Sequence, residues 1–166
     1  MKIGHIRDIS MVDGPGNRLV IFFTGCGHNC DGCHNPKYQD YNYGIDWEIP
    51  EIIEYIKDRK QWIDGITLSG GDPLFQPDLR EFLETIRSDP ELKNINIWMW
   101  TGFTIDQVPN PIKSKINVII DGKYDKELEG AKWRGSSNQK IWKRVVGHHF
   151  ELVPEEDVEY LRFENE

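Results

Sequence analysis

The sequence predicts an α/β domain built on a mainly parallel sheet, either open or closed only part of the way into a β/α barrel. Three observations carry this. Short β-branched and aromatic runs alternate with stretches whose apolar residues recur at helical spacing, the pattern of repeated βα units. The apolar runs lack polar alternation, as expected of strands covered on both faces. Each predicted strand stops at a glycine-containing turn, and parallel α/β folds bind ligands at the carboxyl ends of their strands. Four such strands are too few to close an eightfold barrel, and a flavodoxin-like open sheet is the rival architecture.

The elements follow in order. A further strand near the N-terminus can precede the first clear one, Leu19-Val20-Ile21-Phe22-Phe23, which ends at Thr24-Gly25. From Gly25 to Trp47 the periodicity disappears and Gly, Asn, Asp, His and Tyr take over; a structureless stretch of that length in a small domain is functional. Ile49, Ile52, Ile53 and Ile56 mark a helix with Pro50 in its first turn. Gly65-Ile66-Thr67-Leu68-Ser69 is the second strand, stopped by Gly70-Gly71-Asp72-Pro73. Leu79, Phe82, Leu83 and Ile86 give a second amphipathic helix, ended by Asp89-Pro90. The third strand runs from Ile95 to Trp100 and stops at Thr101-Gly102; Trp98 and Trp100 share one of its faces and are expected to pack in the core. A weak helix over 104–114 leads to the fourth strand, Ile116-Asn117-Val118-Ile119-Ile120, stopped by Asp121-Gly122. No repeat, low-complexity tract or linker interrupts the chain, so the expected organisation is a core domain over 1–147 with a tail, 148–166, packed on it.

Composition narrows the function. The 166 residues carry 20 basic and 28 acidic side chains, a formal charge of −8, which argues against a nucleic-acid binder that works by broad phosphate contact. At 38% hydrophobic and 29% charged the chain is globular rather than disordered. No apolar run is long enough to span a bilayer, and Met1–Asp8 has no signal-peptide core, so a cytoplasmic protein without membrane association is expected.

All three cysteines lie in Gly25-Cys26-Gly27-His28-Asn29-Cys30-Asp31-Gly32-Cys33-His34-Asn35-Pro36. An odd number so closely spaced is a poor disulfide framework. Three thiolates within eight residues can converge on one soft metal centre. One reading is a 4Fe–4S cluster held by Cys26, Cys30 and Cys33, with the fourth iron left open. The alternative is a structural zinc site completed by His28 or His34, in a non-catalytic interaction module.

The CxxxCxxC spacing after a first β-strand resembles the signature of the radical S-adenosylmethionine (SAM) superfamily. Asp13-Gly14-Pro15-Gly16, Phe22-Phe23-Thr24-Gly25-Cys26 and Asp31-Gly32-Cys33-His34-Asn35-Pro36 resemble the glycyl-radical-enzyme activases within it. Ser69-Gly70-Gly71-Asp72-Pro73-Leu74, Trp98-Met99-Trp100-Thr101-Gly102, Val118-Ile119-Ile120-Asp121-Gly122 and Trp133-Arg134-Gly135-Ser136-Ser137-Asn138-Gln139 resemble the branch of those activases that serves anaerobic ribonucleoside-triphosphate reductase. Gly32 stands where many radical SAM proteins carry an aromatic residue, which favours this branch over the pyruvate formate-lyase type.

The resemblance implies a truncated radical SAM partial barrel, a 4Fe–4S cluster and SAM as cofactors, the reductase as protein substrate and a flavodoxin-like electron donor. It places Gly70, Gly71 and Asp72 at the SAM amino group, with Gly71 foremost, and Gly32, Cys33 and His34 at the adenine. His28 is expected to face solvent or to support the ligands. Thr101-Gly102 and Asp121-Gly122 are either strand-ending turns or part of the SAM pocket. Asp13–Gly16 reads as a turn near the site mouth, and Arg134–Gln139 as a polar loop near the site or the partner. Lys140, Lys143 and Arg144 form a small basic island, and His148-His149 a structural or surface pair. Lys143–Glu166 matches no motif.

Overall fold

The structure is a computed structural model that describes residues 1–163. In chain order the elements are β1 (Lys2–Ser10), β2 (Arg18–Phe23), β3 (Ile45–Asp46), α1 (Ile49–Arg59), β4 (Gly65–Gly70), α2 (Leu79–Ser88), β5 (Asn96–Trp100), α3 (Asn110–Lys113), β6 (Val118–Asp121), β7 (Glu129–Ala131), β8 (Arg134–Ser136), β9 (Lys140–Val146) and β10 (His149–Leu152). Eight strands make one sheet in the order β10-β9-β6-β5-β4-β2-β1-β3, while β7 and β8 form a separate hairpin. The sheet does not close on itself.

Its centre is parallel: β2 pairs with β4, β4 with β5 and β5 with β6. The flanks are antiparallel, with β1 against β2 on one side and β9 and β10 beyond β6 on the other. The sheet is therefore mixed rather than mainly parallel. The expected βα alternation holds only where helices make the crossovers, from β2 to β6. The weak helix over 104–114 is a 3₁₀ turn, Ile105–Gln107, followed by the four-residue α3. Pro109 and Pro111 remove backbone donors where one continuous helix would need them.

Both long helices cover one face of the sheet. Glu48 and Glu51 form a reciprocal capping box at the start of α1, with a proline in its first turn. Ile52, Ile53 and Ile56 of α1 and Leu79, Phe82, Leu83 and Ile86 of α2 pack with Leu19, Ile21, Phe23, Ile66, Leu68, Ile97, Met99 and Ile119. The strand residues in that set sit two apart, as one face of a pleated strand requires.

The opposite face takes the intervening residues and, among the described residues, is covered by no α-helix, only by loops and the 3₁₀ turns Pro36–Gln39 and Glu155–Tyr160. Trp98, Val118, Ile120 and Ile141 are buried there with Val158 from the tail, and Val20 and Phe22 pack with Tyr38. Loops cover this face incompletely and leave a cavity at the carboxyl ends of the parallel strands. Among the described residues, no helix is long and apolar enough to cross a membrane.

Candidate functional site

The cavity has a volume of about 380 Å³, within the range of small-molecule sites. Cys26, Cys30 and Cys33 all line it, together with Gly70 and Gly71 at the end of β4. Thr101, Gly102 and Gly122 contribute the ends of β5 and β6. Three of the four predicted strand-end turns, and the cysteines that follow the fourth, thus meet around one space. The three cysteines are partly buried and free of disulfides.

Backbone geometry explains the glycines at the β4 end. The Gly71 N–H donates to Phe23 O (2.9 Å) and the Asp72 N–H to Gly25 O (3.1 Å), so the segment lies directly on the start of the cysteine loop. A Cβ on Gly70, whose φ is +107°, would lie 2.2 Å from Phe23 O. A Cβ on Gly71 would lie 2.4 Å from Tyr38 O and 2.6 Å from Gly25 O. Gly71→Ala is therefore expected to cost about 1–3 kcal/mol, as overpacking against fixed backbone does. The check is a melting temperature several degrees below wild type; an unchanged one would show that the backbone here yields freely.

The cysteine loop is short of regular hydrogen bonds. The Cys26 N–H donates to Gln39 O (3.3 Å), the Cys33 N–H to Cys30 O (3.2 Å) and the Asn35 N–H to Cys33 Sγ (3.4 Å). Burial pushes the Cys26 thiol up to about 11, and a hydrogen bond from the His28 backbone opposes that rise. A metal centre binding there must displace this proton.

His28 is not at the surface. Its side chain is only 8% exposed, and Nε2 lies 2.8 Å from Asp72 Oδ2. His34 is exposed and its Nε2 lies 2.9 Å from Glu129 Oε1. Each candidate fourth zinc ligand thus has this ring nitrogen paired with a carboxylate. Among the described residues no group of three or more His, Cys, Asp and Glu is arranged to hold a single metal ion.

Two predicted SAM-contact residues do not line the cavity. Gly32 is exposed on the loop, beside Lys126 and Tyr124. Asp72 is wholly buried. Its Oδ2 accepts from Thr101 Oγ1, the Gly102 N–H and His28, and its Oδ1 accepts from the Leu74 N–H. Next to a glycine pair, an acid reads in the sequence as a ligand for an ammonium group. In the structure its partners come from the cysteine loop, the β5 end and its own turn.

The segment between β6 and β9 forms the remaining wall, with Tyr124, Trp133, Arg134, Gly135 and Gln139 facing the cavity. Gln139 Oε1 accepts from the Gly135 and Ser136 N–H groups and its Nε2 donates to Gly122 O. One side chain thereby fastens the β7–β8 hairpin to the end of β6. Arg134, with a side chain 5% exposed, forms a two-pronged pair with Glu155 of the tail at 2.7 and 2.9 Å, and the guanidinium holds Glu155 below the usual carboxylate range. Tyr124 carried no signal in the sequence beyond an aromatic residue in a polar loop. Trp100, expected in the core, is half in it: its indole N–H donates to Trp133 O (3.0 Å) and it lines the cavity.

Comparison with known proteins agrees with this arrangement. Residues 12–142 match the family model of the 4Fe-4S single cluster domain. The chain is 38% identical over 152 residues to the anaerobic ribonucleoside-triphosphate reductase-activating protein of Enterobacteria phage T4, covering 89% of this chain and 97% of that one. Its counterpart in Escherichia coli K12 is 36% identical over 152 residues, covering 85% and 97%. That of Haemophilus influenzae is 35% identical over 151 residues, covering 86% and 94%. With a cysteine-lined cavity at the strand ends and similarity along nearly the whole of these relatives, the chain belongs to the family of anaerobic ribonucleoside-triphosphate reductase-activating proteins.

Proposed function

We propose that the protein is a radical SAM activase that reductively cleaves SAM and generates the glycyl radical of an anaerobic ribonucleoside-triphosphate reductase. One observation carries the reading: three thiols and a glycine-rich strand end line one cavity of about 380 Å³. In this reading the open sheet is a truncated radical SAM barrel, and the reductase is a protein substrate presented at its open side in the cytoplasm. When bound, a 4Fe–4S cluster supplies the electron, received from a flavodoxin-like donor, that splits SAM into methionine and a deoxyadenosyl radical able to take hydrogen from a glycine Cα.

The chain's own residues bind and position. Cys26, Cys30 and Cys33 would hold the cluster, and with only three protein ligands it would keep a position open to SAM. Gly70 and Gly71 bring backbone acceptors close to a donor such as the SAM amino group, which a Cβ at either position would obstruct. Cys33 and His34, with Gly32 at the rim, flank the adenine. Trp100 and Trp133 give the wall apolar surface that excludes water from a reactive intermediate.

The test mixes the anaerobically reconstituted, reduced protein with SAM and a candidate reductase. A brown protein with broad absorbance near ~400 nm and a glycyl-radical doublet by EPR are expected. Deoxyadenosine without that doublet would keep the SAM chemistry and point to another glycyl-radical enzyme, as in the pyruvate formate-lyase type. A colourless protein with one zinc per chain would overturn the reading in favour of an interaction module.

A further inference from the structure

We infer that His28 is a positioning residue: through the buried carboxylate of Asp72 it pins the cysteine loop to the ends of β4 and β5, and so holds the three thiols in one arrangement. The inference rests on the reading of those thiols as cluster ligands.

The loop needs such a pin. Cys26 to Cys33 contains two glycines, an asparagine and an aspartate, residues that leave a chain much conformational freedom to lose. Its ion pair, Asp31 with Lys126, and that of His34 just beyond it with Glu129 join side chains that are half or more exposed, and exposed pairs contribute little. His28 differs. Its side chain is 8% exposed, and the carboxylate it meets has no exposure at all.

The geometry of the pin is specific. Asp72 Oδ2 receives Thr101 Oγ1 (2.9 Å), the Gly102 N–H (2.9 Å) and His28 Nε2 (2.8 Å). A carboxylate only accepts, so Nε2 carries the proton. The imidazole stands edge-on to Phe103, with ring centroids 4.6 Å apart, and to Phe75 at 5.5 Å. A Cβ on Gly102 would lie 2.5 Å from His28 Cδ2, so the ring reaches its place only because residue 102 is glycine. Asp72 directly follows Gly71, and Gly102 lies in the turn after β5. The contact therefore ties the cysteine loop to the two strand ends that line the same cavity. Groups that orient ligands from behind in this way typically matter 10–100-fold to metal affinity or activity.

Two measurements test this without reading activity. In the first, the reconstituted holoprotein is challenged with an iron chelator in excess. His28→Leu and Gly102→Ala should release iron about tenfold faster than wild type or more. His28→Gln, whose amide can donate from near the Nε2 position, should stay within about twofold. Ile86→Ala, a cavity in the core under α2, should lower the melting temperature and leave iron release at the wild-type rate. Wild-type release from His28→Leu, or equally fast release from Ile86→Ala, would overturn the inference. If His28→Leu does not fold, Gly102→Ala decides by keeping the histidine and displacing its ring.

The second measurement is hydrogen exchange on cluster-free protein. The backbone amides of residues 26–30 should exchange about tenfold faster in His28→Leu, since local opening is what exchange reports. Unchanged exchange overturns the pin whatever the metal does. A wild-type chain that takes up no iron while exchange responds as expected would overturn the cluster reading and leave the pin standing.

Discussion

Replacing Cys26, Cys30 or Cys33 by alanine is expected to bring glycyl-radical formation down to background while leaving the fold nearly as stable as before. The three thiols are the only cysteines in the chain, so no other can substitute. Two thiolates would hold a cluster at too few corners to keep it against exchange with solvent thiols. Stability should respond little, because the cysteines are partly exposed and belong to none of the buried clusters of the sheet. Substitutions outside the core and away from buried polar networks usually change stability by less than about 1 kcal/mol. Iron content, the EPR signal of the reduced centre and a thermal melt check the three parts separately. A variant that keeps both iron and radical yield would remove that cysteine from the ligand set. A variant that fails to fold would mean that the loop carries more of the structure than its exposure implies.

The parallel centre of the fold was legible because its strands are covered on both faces. Leu19–Phe23 and Ile97–Met99 are unbroken apolar runs, and helical spacing marks α1 and α2 between them. The flanking strands were harder to see. β1 carries His5, Arg7 and Asp8 on a partly exposed strand, with register shifts where it pairs with β2, so its alternation is blurred. β9 and β10 pair with each other and with β6, yet much of Lys140–Val146 is exposed or only partly buried. Its Lys143-Arg144 pair and the following histidines read as surface. The β-branched Val145-Val146 before Gly147 was the available sign of a strand and a turn.

The site divides along a similar line. That the cysteines and the Gly-Gly turn lie at strand ends on one cavity was readable because the signals are local: the cysteines follow a strand directly, and glycine admits a close approach. The partners of Asp72 were not readable, since His28 lies 44 residues away in sequence and Thr101 lies 29 away. Only the fold decides whether a buried acid meets a ligand or the chain's own donors. Gln139 is similar. Its three hydrogen bonds to Gly122, Gly135 and Ser136 turn a polar loop into a fixed wall, and a polar composition alone predicts no more than a loop.

Arg18→Met is expected to lower stability by about 3–5 kcal/mol. Arg18 is wholly buried on the face of the sheet that no α-helix covers. Its Nε donates to Thr67 Oγ1, and its terminal nitrogens donate to the carbonyls of Pro15, Ile66 and Asn96. Its guanidinium also stands 5.5 Å from the ring of Trp98. Burial pulls its pKa down to about 9, with Asp64 and Asp13 opposing the fall, so it remains charged at neutral pH. Methionine fills a similar volume and donates nothing, which leaves three carbonyls without their donor at about 1–3 kcal/mol each before water or relaxation recovers a part. Arg18→Lys keeps the charge but replaces a planar fork with a single point, so it should fall between wild type and methionine. The damage should also reach the cavity. Arg18 holds Pro15, and Thr67, which Arg18 orients, donates to Asp13 O; Asp13 itself lines the cavity. Urea unfolding measures the first effect, and SAM affinity of whatever folded protein remains measures the second. A methionine variant within about 1 kcal/mol of wild type would show that these carbonyls find water, and that the loop over residues 13–16 is held by its own turn rather than by the arginine beneath it.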